Sequence, residues 1–189
     1  MKRPRGAAAS AERKKYALLL MVDGGDAEYR RLEATCEAAC DAAVHAACKQ
    51  LPGTLHLTLG EAIALTEATA SAVRFGGKPP LPQTAVPIQL AGFKSWPRCL
   101  AVAVGPEAAS AVNSLLARVE GWPGGPVVTE DGLHLSLYRG RGHGRELEQQ
   151  IAFMVRAVGR SPFGTVRGCE LAVKAVGGPY EERRVIWSA

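Results

Sequence analysis

The sequence lacks several features that would place it in other classes of protein. The apolar run at residues 16–22 has seven residues, too few to span a membrane. Asp23 and two glycines follow it without a cleavage-like site, so we expect no secretory signal. The five cysteines are an odd number, and none forms a Cys-x-x-Cys pair. We therefore expect a reducing compartment, cytoplasmic or nuclear, and no structural zinc.

Excess positive charge is absent outside the first 15 residues. Residues 1–15 hold six lysines and arginines against one glutamate, a net charge of +5, which equals that of the whole chain. We interpret residues 1–15 as a disordered basic tail. Residues 16–189 are neutral overall, which argues against broad, charge-driven binding to long nucleic acid. A small phosphate ester or an RNA end remains compatible with this balance.

Histidine is also scarce, with four in 189 residues, but two of the four occupy the same pattern. Residues 55–59 read Leu-His-Leu-Thr-Leu, and residues 133–137 read Leu-His-Leu-Ser-Leu. Strict alternation predicts a half-buried β-strand, in which side chains two positions apart share a face. Each strand would bury its leucines and present an imidazole beside a hydroxyl on the other face. These polar pairs are His56 with Thr58 and His134 with Ser136.

Periodicity and turn signals predict alternating strands and helices. The expected helices are residues 28–49, 61–73, 106–120 and 145–158, and the expected strands besides the motifs are 16–22, 86–93, 99–104, 166–176 and 183–187. Asp26 is expected to cap the first helix, and Pro106 to begin the third.

The order of these elements repeats. Strand, helix, motif strand, helix and strand occur at residues 16–93 and again at 98–176, which indicates an internal duplication. Two such halves packed about a pseudo-twofold axis would bring the motif strands together.

The paired motifs resemble those of the two-histidine phosphoesterase superfamily, which includes the LigT-like proteins and the plant-type cyclic phosphodiesterases. Its hallmark is two His-x-Thr/Ser strands that face each other across a cleft. The resemblance implies an α+β fold: two pseudo-symmetric lobes of antiparallel-rich sheet with outer helices and a central cleft between the motif strands. We expect a single bilobal domain at residues 16–189, with lobe halves at about 16–93 and 98–189.

The resemblance also implies an activity, that of a metal-independent hydrolase. Such an enzyme would open a 2′,3′-cyclic nucleotide, or ADP-ribose 1″,2″-cyclic phosphate, to a phosphomonoester. His56 and His134 would be the catalytic acid and base, because imidazole titrates near neutral pH. By analogy His134 is favoured as the base and His56 as the acid. Thr58 and Ser136 would donate hydrogen bonds to the phosphoryl oxygens. No acidic cluster accompanies the motifs, so neither a two-metal centre nor a cofactor is expected.

Other residues are candidates for substrate contact. Tyr138 lies four positions after His134 and should share its face by parity, where it would bind phosphate or stack on a base; the alternative is that it caps the strand end. Arg139, Trp96 and Tyr180 have the same two interpretations, substrate contact or packing. His45 is interpreted as structural and His143 as exposed.

Three alternatives to the cyclic phosphodiesterase remain open. The first is an RNA-processing enzyme of the same superfamily, a 3′–5′ exonuclease or a 2′,5′-phosphodiesterase. The second is a non-catalytic nucleotide-binding module, and the third is a zinc protein, whose ligand spacings the sequence does not match. The expected partner is a small cyclic-phosphate nucleotide or an RNA terminus, with no membrane, and the expected state is a monomer.

Overall fold

A computed structural model describes residues 12–76, 84–123, 132–159 and 163–189. The first 11 residues of the expected tail and parts of the loops expected at 76–82 and 121–126 lie outside these residues. The first strand begins at Arg13. The folded region therefore starts three residues before the expected boundary at residue 16.

Nine strands and five helices are assigned in the described residues. The strands are β1 (Arg13–Val22), β2 (His56–Thr66), β3 (Arg74–Phe75), β4 (Val86–Trp96), β5 (Cys99–Val104), β6 (Val119–Glu120), β7 (His134–Arg139), β8 (Thr165–Ala175) and β9 (Arg184–Ser188). The helices are α1 (Ala27–Ala38), α2 (Ala42–Cys48), α3 (Glu67–Ala72), α4 (Pro106–Leu116) and α5 (Gly144–Val158).

Three of the expected helices are wrong in their extent. The helix expected at 106–120 ends at Leu116, and Val119–Glu120 forms β6. The helix expected at 28–49 is two helices, because the Asp41 carboxylate accepts hydrogen bonds from the backbone N–H groups of Ala43 and Val44 and starts α2. The helix expected at 61–73 begins only at residue 67. Residues 61–66 continue β2 instead, because pairing with β1 outweighs the helix propensity of their alanines. The cap at Asp26 and the helix start at Pro106 are confirmed.

Seven strands form one sheet in the order β1-β2-β7-β5-β4-β8-β9, and β8 also pairs with β1. This extra pairing closes six of the strands into a ring. The pairings between these strands are antiparallel. Helices α1 and α5 pack against each other, and α4 packs on β4. The α+β fold class with an antiparallel-rich sheet and outer helices is confirmed.

The expected duplication is visible in the strand pairings. Exchanging β1 with β5, β2 with β7 and β4 with β8 leaves the set of pairings in the ring unchanged. The two motif strands pair with each other, and so do the third strands of the two halves, β4 and β8. At both positions where the pseudo-twofold axis crosses the ring, a strand therefore pairs with its counterpart from the other half.

The lobes do not coincide with the halves expected at 16–93 and 98–189. Strand β4 pairs with β5 and β8, both in the second half, whereas β8 pairs with β1 in the first half. One lobe therefore consists of β1, β2, β8 and β9, and the other of β4, β5 and β7. The boundary expected from chain order is wrong, because long-range pairing exchanges the third strand between the halves.

The motif strands meet at a single central pair, Leu57 with Leu135. Both motif strands then carry a β-bulge one residue after the hydroxyl. In the pairing of β2 with β1 the register shifts at Leu59, and in the pairing of β7 with β5 it shifts at Leu137. Leu57, Leu59, Leu135 and Leu137 are buried in the main core, as the alternation predicts. Among the described helices, none has the length and apolar character needed to cross a membrane.

Candidate active site

The central leucine pair brings four polar side chains onto one face of the sheet. One step from that pair on either side, antiparallel register places His56 opposite Ser136 and Thr58 opposite His134. Side chains adjacent to a pair point to the face opposite the paired leucines. The two motifs therefore form one polar patch in which each imidazole faces the other motif's hydroxyl.

Each imidazole is held by the backbone two residues before it. The Nδ1 atom of His56 lies 2.6 Å from the carbonyl oxygen of Thr54, and that of His134 lies 3.4 Å from the carbonyl oxygen of Gly132. A carbonyl oxygen only accepts hydrogen bonds, so Nδ1 is the protonated nitrogen in the neutral rings. The Nε2 atom of each ring is then the one able to take or give a proton in the reaction.

His56 is the more buried of the two imidazoles, with 9% of its surface exposed. Its pKa is lowered to about 4, mainly by burial and in smaller part by electrostatic interaction with Arg139, Lys174 and His134, while the hydrogen bond to Thr54 opposes the shift. His56 is therefore neutral at pH 7 in the unliganded chain. It still lines an open groove of about 500 Å³, which gives a ligand access to it.

His134 lies in a more open setting and is half-buried. Its ring packs against Trp96, with ring centroids 4.6 Å apart and a tilt of 52° between the planes. The expected candidate Trp96 is thus beside the second motif, where it forms one wall of the polar patch.

The two hydroxyls differ in their surroundings. The Ser136 hydroxyl oxygen accepts a hydrogen bond from Nη2 of Arg139 at 3.2 Å, and the Cys99 thiol lies 3.9 Å away. Because these neighbours donate to the oxygen, its own O–H remains able to donate to a substrate. Thr58 is half-exposed and lines the same groove as His56.

The expectation that Tyr138 faces the cleft is wrong. The bulge at Leu137 shifts the alternation by one position, so that Tyr138 points into the core with 2% of its surface exposed. Its hydroxyl lies 2.8 Å from Nδ1 of His45, which is itself buried. Tyr138 therefore joins β7 to α2, and His45 has the structural role expected from the sequence.

The same bulge brings the next residue, Arg139, to the cleft. Its side chain is exposed and lines the groove beside His56. Tyr180 also lies there: its hydroxyl is 3.2 Å from Nδ1 of His56, and the two ring centroids are 5.4 Å apart. Arg139 and Tyr180 thus lie next to the polar patch, a position from which the substrate contact considered for both is possible.

Two further residues line the groove, and a third supports one of them. Arg141 and Lys174 line the groove, and the buried Gln50 accepts hydrogen bonds from Arg141 and from the Thr54 hydroxyl. Lys174 lies in β8, far along the chain from either motif, and no local pattern marks it. Arg141 follows the second motif closely, which was the available signal.

In the part of the chain that the structure describes, no group of three or more His, Cys, Asp or Glu side chains is arranged to hold a metal ion.

Comparisons with known proteins find similarity in structure. No family model matches the chain, and no curated protein matches it. A solved structure of Kluyveromyces marxianus Usb1 with uridine monophosphate is similar over 92% of this chain and 98% of that chain, with 15% identity and a TM-score of 0.48. A structure of E. coli LigT complexed with ATP is similar over 94% of this chain and 98% of that chain, with 16% identity and a TM-score of 0.43. The assignment of a function therefore rests on the site itself.

Proposed function

We propose that this chain is a metal-independent phosphodiesterase of the two-histidine type. It opens a 2′,3′-cyclic nucleotide, or ADP-ribose 1″,2″-cyclic phosphate, to a phosphomonoester. One observation carries the proposal: the central pairing of β2 and β7 sets two imidazoles and two hydroxyls on one face, with Nδ1 of both imidazoles directed to backbone carbonyls.

The reaction needs a base, an acid and donors for the phosphoryl oxygens. Water attacks phosphorus while one imidazole takes its proton. The bond from phosphorus to one ribose oxygen then breaks, and the other imidazole gives that oxygen a proton. Each transfer is worth about 10²–10⁴ in rate, so the pair supplies roughly 5–11 kcal/mol if the effects add.

The two hydroxyls supply the remaining requirement. Thr58 and Ser136 each lie two positions after a catalytic imidazole and on the same face. Their O–H groups donate to the non-bridging oxygens, on which negative charge develops in the transition state. Arg139 supports this role because its donation to the Ser136 oxygen leaves the serine proton free for the substrate.

The environment of His56 favours it as the base of the opening reaction. A base must begin neutral, and burial together with nearby cations keeps His56 neutral at pH 7 in the unliganded chain. His134 is then the acid. This assignment is the reverse of the preference drawn from the sequence.

The test is hydrolysis of adenosine 2′,3′-cyclic phosphate by the full chain in EDTA. We expect turnover without added metal, and a loss of at least 10²-fold in kcat for both His56→Ala and His134→Ala. His143→Ala is the matched control, because His143 is exposed and lies outside the polar patch. Full activity in either motif variant, with the fold intact by circular dichroism, would refute the proposal.

A second candidate is an enzyme that acts on an RNA terminus, as an exonuclease or a 2′,5′-phosphodiesterase. It is favoured by the arginines beside His56, which extend the binding surface past the reacting group. Comparing a cyclic mononucleotide with short oligonucleotides as substrates separates the two candidates. Binding of both ligand classes with no turnover of either would instead indicate a nucleotide-binding module.

A further inference from the structure

The groove beside His56 concentrates positive charge. It has a volume of about 500 Å³, within the range of small-molecule sites. Besides His56 and Thr58 of the first motif, its wall includes the cations Arg139, Arg141 and Lys174 and the ring of Tyr180. We refer to these four residues as the cationic groove.

Each cation of the groove is fixed by a neutral partner. Nη2 of Arg139 donates to the Ser136 hydroxyl, and Nη2 of Arg141 donates to Oε1 of Gln50 at 3.1 Å. Gln50 is 3% exposed, so it directs an otherwise exposed arginine along the groove wall.

Lys174 is held in the same manner. Its Nζ atom donates to the carbonyl oxygen of Ala175 at 3.0 Å and lies 4.6 Å from the centroid of the Tyr180 ring. The residue as a whole is 8% exposed, so most of its surface is shielded from solvent although it lines the groove.

Among the described residues, the cations of the groove lack a close acidic partner, although Glu181 and Glu182 act electrostatically on Lys174 from a greater distance. In the described ranges, no ion pair within 4.0 Å joins Arg139, Arg141 or Lys174 to a carboxylate. The carboxylate that lines the groove, Glu61, lies 2.6 Å from Lys15 and is paired there. The positive charge of Arg139 also acts on its surroundings, because it contributes to the lowered pKa of His56.

We propose that the cationic groove binds a second phosphate of the substrate, one that is not cleaved. The inference rests on the proposed function and deepens it. A cyclic phosphate diester carries a single negative charge, for which the hydroxyls and imidazoles of the polar patch already provide donors. Arg139 and Arg141 are both fixed by neutral partners and form no ion pair with a carboxylate in the described residues, so together with Lys174 they supply more positive charge than one monoanion requires. The substrate class is therefore a cyclic phosphate with at least one further phosphate attached to the same nucleoside or its neighbour.

The test compares two substrates that differ only in that second phosphate. These are adenosine 2′,3′-cyclic phosphate with and without a 5′-phosphate, assayed at 50 mM salt. We expect the 5′-phosphate to raise kcat/KM at least tenfold, mainly through KM, which corresponds to about 1.4 kcal/mol. Raising the salt to 300 mM should reduce the ratio, because it screens exposed charges.

The variant Arg141→Gln tests the groove directly, with Arg145→Gln as the matched control. Arg145 is exposed and follows closely in the chain, but it does not line the groove. The ratio of the two substrates, taken within each variant, should fall towards one in Arg141→Gln and persist in Arg145→Gln. Equal kcat/KM for the two substrates in the native chain overturns the inference, as does an equal loss of the ratio in both variants.

A binding measurement separates this inference from the proposed function. If the native chain turns over neither substrate, the proposed function fails. Calorimetry with adenosine 2′-phosphate and adenosine 2′,5′-bisphosphate then tests the groove alone: tighter binding of the bisphosphate supports it, and equal affinity overturns it. Two further substrates distinguish the sources of the second phosphate. ADP-ribose cyclic phosphate supplies it in a diphosphate, and a dinucleotide ending in a cyclic phosphate supplies it in the adjoining nucleotide. The substrate with the larger gain in kcat/KM identifies the source.

Discussion

The two motif strands have almost the same local sequence but different surroundings. In both, a carbonyl two residues earlier faces Nδ1 of the histidine, and a bulge follows the hydroxyl. His56, however, is buried beside Tyr180 and two cations, whereas His134 is half-buried against Trp96. The local motif thus determines that Nε2 is the ring nitrogen available for proton transfer. The residues that strands distant in the chain bring beside each imidazole determine how readily that nitrogen takes a proton.

The largest expected effect separates the base from the acid. A p-nitrophenyl phosphodiester has a leaving group that needs no proton, so losing the acid should matter little for this substrate. We expect His134→Ala to lose at least 10²-fold in kcat on a cyclic nucleotide but less than about tenfold on the p-nitrophenyl ester. His56→Ala should lose at least 10²-fold on both substrates. The opposite pattern would make His56 the acid.

The hydroxyls should have nearly equal effects if the two motifs share the phosphoryl oxygens. Thr58→Val and Ser136→Ala are each expected to lower kcat by about 10²–10³, since each removes one donor to developing charge. Single-turnover kinetics measures the chemical step. Ser110→Ala, at an exposed position of α4, is the control. An effect confined to one hydroxyl would show that only one motif contacts the oxygens.

The burial of His56 predicts a pH-dependent stability. The unfolded chain protonates this histidine near its ordinary value of 6.5, whereas the folded chain does so only near 4. The contribution of neutral His56 to the free energy of unfolding is therefore fully present above about pH 6.5. It is lost as the pH drops towards 4, and it amounts to something on the order of 3 kcal/mol.

Urea unfolding of His56→Gln between pH 4 and 7 measures this contribution. The variant should lose that part of the pH dependence, whereas His143→Gln, at an exposed position, should keep it. An unchanged pH dependence in His56→Gln would contradict the low pKa.

The smallest effect concerns the tyrosine that the bulge turns inward. Tyr138→Phe removes the partner of the buried Nδ1 of His45, and we expect a loss of about 1–3 kcal/mol in unfolding free energy. Because Tyr138 lies in the core, kcat should change less than threefold, on the order expected for a residue remote from the substrate. A large loss of kcat at unchanged stability would instead indicate that Tyr138 contacts the substrate.

Alternation and capping made a large part of this structure predictable. Five of the six motif leucines are buried and Leu133 is partly buried. Their polar partners share a face through the central pair, and Asp26 and Pro106 begin helices where expected. These features depend on short-range chemistry: side chains alternate along a strand, a carboxylate caps nearby N–H groups, and proline fits a first helical turn.

One error was local, because the cap at Asp41 that starts α2 was not recognised in the sequence. The other errors came from long-range pairing. A bulge inserts one residue relative to a partner strand, so the reversal at Tyr138 is set by β5 rather than by the local sequence. Residues 61–66 are strand because β1 lies beside them. Lys174 reaches the site from β8 through a pairing with β1 that spans most of the chain.

The exchange of β4 and β8 between the halves has a consequence for how the chain is built. Neither half of the polypeptide contains all the strands of one lobe, because β4 from the first half pairs with β5, and β8 from the second half pairs with β1. The molecule is thus equivalent to a strand-swapped homodimer whose two copies have been fused in tandem. In such a homodimer each copy would supply one motif histidine, and the two would meet only across the subunit boundary.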